Sequence, residues 1–565
     1  MGYLFHILIA LGAEALGELG YTTGWDLPWG LLILLPVPHL LASFARRCLH
    51  AGRFARALSI ARLVQLSPPV LQLVLVCVFG WVQSTSRWTE QQPGALAWPS
   101  PGLFVALAPF VVFTLIAIDA ESRIQAAGVR DQKRVRAFQV RMFLSALLPL
   151  GLYFGLAGIV AASDFLRVHV EHVALYNAVF MVVLLCLLAL AMPTLMRNTW
   201  ETLPIPEGPQ RSLLEEVAER ARFRARELLV WRTGNLMTNA AIVGVWPSSR
   251  VVLFSDALLS ILSLRELAAV FAHEMGHAIR RHVWIFIAWA LGFFMAADLA
   301  AQAVADFGTT WSSLTLVFVL GAWAISFGWM SRRFELEADL FSLELLDDPK
   351  SLILALERVG GRNRDKGGWR HFSTRRRVDF LLKASGDRAW ARRFRARLRV
   401  LALLGAAFAA AMAGLQLKSL VASYSSDRVW AELSLGEYSA AAERALHDPP
   451  ADEDLRALVG FAKDLTVDPS PKADVEAPDS GARVRRGPER SVVELEQLLE
   501  RALAAGELAR AKLLGELLVL RGKDELRPLV GTLVALGQDD RAAAAEQLGD
   551  CDAHWRAALT PWVER

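Results

Sequence analysis

The sequence predicts a mainly α-helical membrane protein with several spans, a small α+β domain and a C-terminal α-helical domain. Three observations predict this fold class: apolar runs of about twenty residues, short β-type runs between helical patterns, and an Ala/Leu/Glu-rich tail. Hydrophobic residues make up 54% of the 565 residues, charged residues make up 21%, and the mean hydropathy is +0.34. Soluble proteins are about 45–50% apolar, so the composition excludes a wholly soluble or a disordered chain.

Eight apolar runs are long enough to cross a bilayer as helices. They lie at roughly 28–44, 67–83, 102–118, 142–162, 173–193, 283–302, 310–330 and, more weakly, 399–417. The first five define an N-terminal membrane region over 1–199. Whether the segment 3–19 also spans is left open, because it contains Glu14 and Glu18. No charge precedes its apolar run, which argues against a secretory signal peptide.

The connecting segments alternate in their content of arginine and lysine. The basic segments are 45–66 and 119–141, and the segments with a single arginine are 84–101 and 163–172. The positive-inside rule places the basic segments, and with them residues 194–282, in the cytoplasm. Because 283–330 is predicted as a hairpin that leaves and returns, residues 331–398 are expected on the same side.

Residues 200–282 form the first long polar stretch and are expected to fold as a small α+β unit. A helical pattern runs from Gln210 to Leu228, and three β-type runs follow, around 228–232, 239–246 and 250–254. Ser263 and Glu266 then form a capping box that begins a helix. The pattern predicts a small meander of strands with helices packed against it.

The tail over 420–565 is helical by composition and contains a Pro/Asp/Arg-rich linker at about 467–490. Three similar stretches begin at Gly436, Gly506 and Gly537, so they are separated by 70 and 31 residues. These separations approximate two periods and one period of a tetratricopeptide-like repeat. An ordinary bundle of Ala-rich helical hairpins explains them equally well. Either arrangement offers a surface for a protein partner.

The motif His273-Glu274-Met275-Gly276-His277 lies in the helix that begins at Ser263. Two histidines four residues apart project from one helical face, so both imidazoles can bind one metal ion. The intervening Glu274 can reach a metal-bound water as a general base. His282 lies on roughly the opposite face of a continuous helix and is expected to be structural.

A third ligand is needed, and the metzincin pattern does not supply it. That pattern requires glycine and histidine where this chain has Arg280 and Val283. Asp298 and Asp306 are the next acidic residues, but they lie in or beside the membrane hairpin. A continuous helix rises about 1.5 Å per residue, so Asp298 would lie roughly 30 Å from His277.

The first carboxylate after the hairpin returns is Glu335. Glu335 and Asp339 are spaced i,i+4 and share a helical face, whereas Glu337 is turned about 200° away. We therefore expect Glu335 to be the third ligand. Asp339 is expected to accept a hydrogen bond from the outer nitrogen of a ligand histidine.

These features together resemble the integral-membrane gluzincin peptidases, the family of HtpX and the CAAX prenyl endopeptidases. The resemblance is carried by the His-Glu-x-Gly-His motif, the membrane hairpin and the stretch Ser331 to Asp339. It extends to Asn239-Ala240, Gly244 and Ser255-Asp256, and it covers about 200–385. It implies a zincin-like metalloprotease domain over 200–398 that holds one Zn²⁺ per chain.

The resemblance also implies substrate contacts. Asn239 and Ala240 would align the substrate backbone by β-augmentation, although Asn239 is equally well explained as a buried turn cap. His371 and Arg377 match a later family element and could stabilise an oxyanion. Phe372 stands where the family often has proline, so this match is looser. The alternative is a basic surface for lipid headgroups, with Arg375 and Arg376.

The resulting hypothesis is a zinc-dependent membrane endopeptidase that uses a metal-activated water. His273, His277 and Glu335 hold the zinc, and Glu274 is the general base. The expected substrates are membrane proteins or peptides, cleaved in HtpX-like quality control or processing at a bacterial cytoplasmic membrane, with the site on the cytoplasmic side. The alternatives are a CAAX-type C-terminal processing protease and a membrane scaffold with a vestigial site. The sequence has no basic stripe with interleaved aromatic residues, so nucleic acid is not expected as a partner.

Overall fold

The computed structural model describes most of the chain as helical. It covers residues 2–18, 29–90, 99–126, 131–304, 309–361, 364–450, 453–467, 492–504, 506–537 and 541–563. The contacts divide the chain into two compact units. The first comprises Met1–Gly158 and Val183–Gln416, and the second comprises Ile159–Val182 and Leu417–Arg565.

Eight helical segments of the described residues are long and apolar enough to cross a membrane, and each of the eight predicted runs overlaps one of them. They are Gly30–His50, Phe54–Cys77, Val105–Gln125, Gln132–Ala161, Ala174–Thr199, His282–Ala303, Leu314–Leu346 and Arg388–Leu435. The predicted apolar runs are therefore confirmed as helices long enough to cross a membrane, which indicates a multi-pass membrane protein. The last segment has 48 residues and extends beyond the predicted 399–417 at both ends, because no proline interrupts the helical pattern there.

The described residues of the N-terminal region form nine helices. They are α1 (Gly2–Glu18), α2 (Gly30–Leu34), α3 (Val37–His50), α4 (Phe54–Cys77), α5 (Trp81–Glu90), α6 (Pro99–Ala126), α7 (Gln132–Ala161), α8 (Asp164–His172) and α9 (Ala174–Thr199). In the first unit, α1 packs on α4, where the buried Gln72 amide donates to Glu14 and to the carbonyl of Ala106. A carboxylate in an apolar bundle requires such a partner. Within the segment 3–19 the short apolar helical stretch is Phe5–Glu14, and residue 19 lies outside the described residues.

A four-stranded sheet lies between the membrane helices and the metal motif. Its strands are β1 (Thr202–Pro204), β2 (Glu227–Trp231), β3 (Ala240–Val243) and β4 (Val251–Ser255), in the order β1-β2-β4-β3. The three predicted β-type runs correspond to β2, β3 and β4, whereas β1 has only three residues and no alternation to detect it by.

The predicted meander is wrong, because β2 and β4 pair in parallel and β3 lies at the outer edge, antiparallel to β4. The burial of the strands explains this order. Every residue of β4 is buried, as a central strand requires, while every residue of β3 is only half-buried.

In the described part of the chain up to Leu435, eight helices follow or flank the sheet, and they carry the motif. They are α10 (Pro209–Arg220), α11 (Asp256–Ile261), α12 (Leu264–Ile279), α13 (His282–Ala303), α14 (Thr309–Leu346), α15 (Pro349–Gly360), α16 (Thr374–Gly386) and α17 (Arg388–Leu435). The predicted capping box of Ser263 and Glu266 begins α12. Phe271 and Met275 of α12 pack with Val252 and Phe254 of β4 in one buried core. The hairpin predicted over 283–330 corresponds to α13 and the first part of α14.

The described part of the tail beyond α17 is helical. Its elements are α18 (Tyr438–His447), α19 (Glu453–Val467), α20 (Val492–Ala504), α21 (Leu508–Leu520), a short 3₁₀ helix (Asp524–Leu526), α22 (Arg527–Gly537), α23 (Arg541–Gly549) and α24 (Ala553–Val563). Apart from Val467, the predicted linker 467–490 lies outside the described residues.

Two of the three similar stretches in the tail share one turn. Gly436 and Gly506 have φ of 79° and 75°, a left-handed conformation that glycine adopts readily. Each glycine N–H donates to the carbonyl three residues back, and a new helix begins two residues later. This equivalence is consistent with repeated helical hairpins, and the tetratricopeptide assignment stays a prediction.

Candidate metal centre

Two helices that lie far apart in the chain bring three potential ligands together. His273 and His277 on α12 and Glu335 on α14 each offer one ligand atom, and these atoms all lie within 4.8 Å of one another. The Nε2 atoms of His273 and His277 lie 3.7 and 3.5 Å from the Glu335 carboxylate oxygens. In a tetrahedral zinc site with bonds of about 2.1 Å, ligand atoms lie about 3.4 Å apart. The three side chains therefore fit one zinc ion.

A glycine within the motif allows the two helices to approach this closely. A Cβ atom at Gly276 would lie 3.0 Å from the Cα of Ala338 and 3.1 Å from the Cβ of Phe341. A larger residue at position 276 would push α14 away from α12. The short distance between the imidazoles and Glu335 therefore depends on a residue without a side chain where the two helices cross.

The outer nitrogen of His273 is held by a buried carboxylate. Its Nδ1 lies 2.9 Å from Asp339 Oδ1, and Asp339 also accepts two hydrogen bonds from Arg377, at 2.9 and 2.6 Å. Although burial lowers the pKa of His273, the hydrogen bond to Asp339 raises it overall. Asp339 likewise raises the pKa of Arg377 against the effect of burial. Arg377 thus stays charged and holds the Asp339 carboxylate in place.

The outer nitrogen of His277 is within hydrogen-bond distance of a third histidine, His282. Its Nδ1 lies 2.9 Å from Nδ1 of His282, and Nε2 of His282 lies 3.0 Å from Glu337. The ring of His282 also stacks on Phe334 at 4.2 Å. All three groups are satisfied when His277 donates to His282 and His282 donates to Glu337, which leaves Nε2 of His277 available for a metal.

Sequence reasoning missed this support because it assumed a continuous helix. Arg281 adopts a left-handed φ of 59°, so α12 ends and α13 starts afresh at His282. The break turns His282 back toward the motif. Glu337 does face away from the ligand face, and it is this orientation that lets it reach His282. The one available signal was a third histidine, five residues beyond His277.

Glu274 lines the cleft beside the three potential ligands. Burial raises the pKa of its carboxyl group to about 7; Glu335 adds to the rise, and His273 opposes it. Burial also lowers the pKa of His277 well below its ordinary value, helped by the neighbouring His273. A neutral imidazole is the form that binds a metal, and a carboxyl group with a pKa near neutrality can take up and release a proton.

His371 reaches the site from the segment that precedes α16. Its Nδ1 lies 3.1 Å from Glu335, while the rest of the side chain is exposed. Ser373, two residues later, caps α16 by accepting from the N–H of Arg376. Arg377 faces the same carboxylate, with Nη1 3.7 Å from Glu335. Both residues of the later family element therefore lie beside the potential ligands.

A cleft of about 600 Å³ runs over the site and has β3 as one wall. Asn239, Ala240 and Ala241 line it together with the three potential ligands, Glu274 and Arg377. The backbone of Asn239 is fixed by Ser255, whose Oγ accepts from the Asn239 N–H at 2.9 Å and whose N–H donates to the Asn239 carbonyl at 2.9 Å. One side of β3 pairs with β4, and its other side is the outer edge of the sheet.

Comparison with known proteins finds one family. Residues 205–383 match the sequence profile of peptidase family M48. A CAAX prenyl protease 1 homolog of Arabidopsis thaliana is 25% identical over 193 residues, which are 31% of this chain and 46% of that protein. A protease HtpX homolog of Herminiimonas arsenicoxydans is 27% identical over 167 residues, which are 26% of this chain and 56% of that protein.

A similar solved structure is the crystal structure of S. mikatae Ste24p, which aligns over 67% of this chain and 97% of that chain, with a TM-score of 0.46 and 16% identity. The chain spans about half the length of the curated relatives it matches. The residues matched by the family profile contain strands β2 to β4, the motif, the hairpin and Arg377.

Proposed function

We propose that this chain, which carries a peptidase family M48 domain over residues 205–383, is a zinc-dependent endopeptidase for proteins in or at the membrane. One observation carries the proposal: His273, His277 and Glu335 offer ligand atoms within 4.8 Å of one another, and Glu274 lines the same cleft. This arrangement provides both a metal site and a base beside it.

His273, His277 and Glu335 would hold the zinc, and when bound the metal polarises water and the scissile carbonyl. Glu274 takes the proton from the attacking water and hands it to the leaving amine. Asp339 fixes the ring of His273, and His282 fixes the ring of His277. Both imidazoles are thereby oriented before a substrate arrives.

His371 is proposed to stabilise the oxyanion of the tetrahedral intermediate. Its position at the cleft, 3.1 Å from Glu335, and its exposed ring support this role. Arg377 is the second candidate from the same element. Its guanidinium is already bound by Asp339 through two hydrogen bonds, which favours an orienting role for Arg377 and leaves the oxyanion to His371.

The outer edge of β3 is proposed to align the substrate. An extended peptide can add to an unpaired strand edge by backbone hydrogen bonds, and Asn239 and Ala240 lie where β3 enters the cleft. Such binding reads backbone conformation more than side chains. It would suit a protease that acts on many sequences.

The substrate class is proposed to be membrane proteins, in HtpX-like quality control or processing. Two candidate spans, α13 and α14, directly flank the metal site, which favours substrates that reach it from the bilayer. The proposed orientation, with the site on the cytoplasmic side, rests on the basic segments 45–66 and 119–141. CAAX-type processing of C-terminal tails is also compatible with the relatives.

The first experiment is metal analysis and proteolysis with the purified full-length protein and the Glu274→Gln variant. We expect about one zinc per chain in both proteins and cleavage of a membrane substrate by the wild type only. The isosteric variant keeps the ligands and removes the base. Equal cleavage by both proteins would remove Glu274 from the mechanism, and wild type without zinc would overturn the metal assignment.

A second experiment separates the two substrate classes. Reconstituted protein is offered an unfolded membrane protein, a farnesylated CAAX peptide and soluble casein at equal concentration. Preferential cleavage of the membrane protein supports the proposal. Preferential, site-specific cleavage of the farnesylated peptide would support the CAAX alternative, and equal rates for casein and the membrane protein would remove the preference for membrane substrates. A protein with metal but no cleavage of any substrate would support a scaffold.

A further inference from the structure

A second, basic cavity of about 410 Å³ lies beside the cleft where α14 leaves its apolar part. Its lining includes Trp329, Arg332 and Arg333 of α14, Arg376 of α16, and residues of the segment 365–373. We refer to it as the arginine pocket. The peptidase mechanism makes no use of these three arginines.

The three guanidinium groups converge without a neutralising partner. Among the residues that the structure describes, none of them forms an ion pair with a carboxylate. Arg332 and Arg333 donate to the carbonyls of Trp369 and Trp329, both at 2.9 Å. Each of these bonds engages one nitrogen and leaves further donors on each guanidinium. Asp365, the acidic residue that lines the pocket, lies 3.9 Å from Arg375.

Aromatic rings hold the arginines in place. Arg333 lies 3.5 Å above the ring of Trp329, and Arg376 lies 4.1 Å above the ring of Phe372. Such stacking fixes the plane of a guanidinium without consuming its edge donors. The pocket therefore presents ordered donor groups with a net positive charge, which is the environment that a phosphate requires.

Trp369, which follows the pocket residue Gly368 in the chain, packs on α14. Its Nε1 donates to the carbonyl of Ala324 at 3.0 Å, and its ring lies 5.5 Å from that of Phe327. Both contacts are on the candidate span Leu314–Leu346. The segment before α16 thus lies against α14 next to its apolar part, with two half-exposed tryptophans, Trp329 and Trp369. Tryptophans of this kind mark the headgroup level of a bilayer.

We propose that the arginine pocket binds the phosphate of an anionic phospholipid headgroup. The unpaired donors select an anion, the bidentate geometry of arginine suits a phosphate, and the position at the headgroup level favours a lipid over a soluble anion. The bound headgroup would also hold the segment that carries His371, 3.1 Å from Glu335. The binding itself stands without the proposed function; only an effect on cleavage rests on it.

The test uses the full-length protein in detergent micelles, with phosphatidylglycerol or phosphatidylcholine added, and native mass spectrometry to count retained lipids. The test variant is Arg332→Gln/Arg333→Gln/Arg376→Gln. The control variant is Arg392→Gln/Arg397→Gln/Arg399→Gln, which removes the same charge from exposed positions of α17. Zinc content and circular dichroism verify that each protein is folded. If the pocket triple variant is not folded, the single exposed Arg376→Gln replaces it, with the single exposed Arg392→Gln as its control.

We expect one phosphatidylglycerol retained per chain by the wild type and the control, and at least a tenfold loss in the pocket variant. All three proteins should retain at least tenfold less phosphatidylcholine than the wild type retains phosphatidylglycerol. Equal retention of phosphatidylglycerol by the pocket and control variants would overturn the proposal, since it would indicate unspecific attraction.

Two further arms identify the source of the anion. Glycerol phosphate at the same concentration should not displace the lipid; displacement would assign the pocket to a soluble phosphate instead. Peptides with a free or an amidated C terminus are cleaved by wild type and pocket variant. If the variant lost only its preference for the free carboxylate and retained the lipid, the pocket would belong to a peptide substrate and the lipid proposal would fail.

Discussion

At the residue scale, the outer nitrogens of the two ligand imidazoles are supported differently. His273 faces Asp339 directly, whereas His277 faces His282, which in turn faces Glu337. A carboxylate on the outer nitrogen fixes the ring and increases its basicity, and an intervening imidazole transmits this effect less strongly. The chain therefore holds His273 directly by a carboxylate, and His277 through an intervening imidazole.

We predict that His282→Ala weakens zinc binding by about 10- to 100-fold, because the ring of His277 loses its partner. Glu337→Gln should weaken zinc binding in the same direction by a smaller factor, since His282 keeps its stacking on Phe334. Competition with a chromophoric chelator measures both dissociation constants. His447→Ala, at an exposed position of the tail, is the control, and an unchanged affinity of His282→Ala would refute the relay.

The residue scale also marks the limit of sequence reasoning. The i,i+4 spacing of His273 and His277 and the return of the hairpin singled out Glu335. An even number of membrane crossings is enough to bring Glu335 back to the side of the membrane where the two histidines lie. The relay through His282 depends on the left-handed residue Arg281. Arginine rarely adopts that conformation, so the residue type gave no signal of a helix break there.

At the scale of elements, the crossing of α12 and α14 sets the size of the metal site. We predict that Gly276→Ala lowers the stability by about 1–3 kcal/mol, because a methyl group would meet the backbone of Ala338 at 3.0 Å. Zinc affinity should fall with it. Gly321→Ala is the control, since nothing lies within 4 Å of that position on α14.

Thermal unfolding and chelator competition measure both effects of Gly276→Ala. In the control, alanine should be neutral or slightly stabilising, as its higher helix propensity predicts. If Gly276→Ala matched Gly321→Ala in melting temperature and zinc affinity, the close approach of the helices would not limit the site.

A second element-scale feature is the loop before β3, which is fastened to Asp256. Its carboxylate accepts from Thr233 Oγ1 at 2.5 Å, from the N–H of Gly234 at 2.8 Å and from the N–H of Asn235 at 3.3 Å. Although burial raises the pKa of Asp256, these hydrogen bonds lower it overall. The loop is thus held by an ionised carboxylate at neutral pH.

We predict that Asp256→Ala costs about 1.5–3 kcal/mol locally, as expected for hydrogen bonds to a charged group. Hydrogen exchange in residues 233–239 should accelerate, while exchange in α12 stays unchanged. In the wild type, the protection should persist as the pH falls and disappear only below the ordinary pKa of aspartate, about 4. Unchanged exchange in the variant would contradict the role of Asp256.

The sheet shows why element-scale prediction was partial. Residue types identified the runs of β2, β3 and β4, because their apolar content and the intervening turns are local signals. Strand order is set by burial against α12, which local patterns do not record. Val251–Ser255 is apolar at its first four positions, and that run was the available hint that it lies centrally.

At the scale of the whole molecule, the two units have separate hydrophobic cores. One buried cluster is formed by tail residues from Val429 to Leu559, and the cluster beneath the metal motif extends from Ile205 to Ala355. Because the three potential ligands belong to the first unit only, metal binding should stabilise that unit alone.

We predict that chelation of zinc lowers the melting temperature of the first unit and leaves that of the tail unchanged. A ligand at a thousand times its dissociation constant contributes about 4 kcal/mol, which is large enough to separate two transitions. Calorimetry of the full chain with and without chelator measures this. Addition of Mg²⁺ in place of the chelator is the control, and equal shifts of both transitions would contradict independent cores.

The sequence predicted the spans at this scale, since bilayer thickness imposes a length that can be read directly from composition. The tail over 420–565 was predicted as a domain of its own, whereas the grouping of Ile159–Val182 with it was not predicted. The first unit ends within α7 and resumes within α9, so helices that look uniform in hydropathy contribute to two bodies. The composition of a helix indicates whether lipid or water surrounds it. It does not indicate which other helices it will contact.

The chain path between His277 and Glu335 has a consequence for biosynthesis. The two halves of the ligand set are joined by α13 and α14, each apolar enough to cross a bilayer. A newly made chain whose hairpin has not yet inserted would have the two imidazoles without the carboxylate of Glu335, and the proposed metal site would lack its third ligand. If the proposed function holds, insertion of the hairpin is therefore a checkpoint in biosynthesis, because the three potential ligands come together only once α13 and α14 have crossed the bilayer.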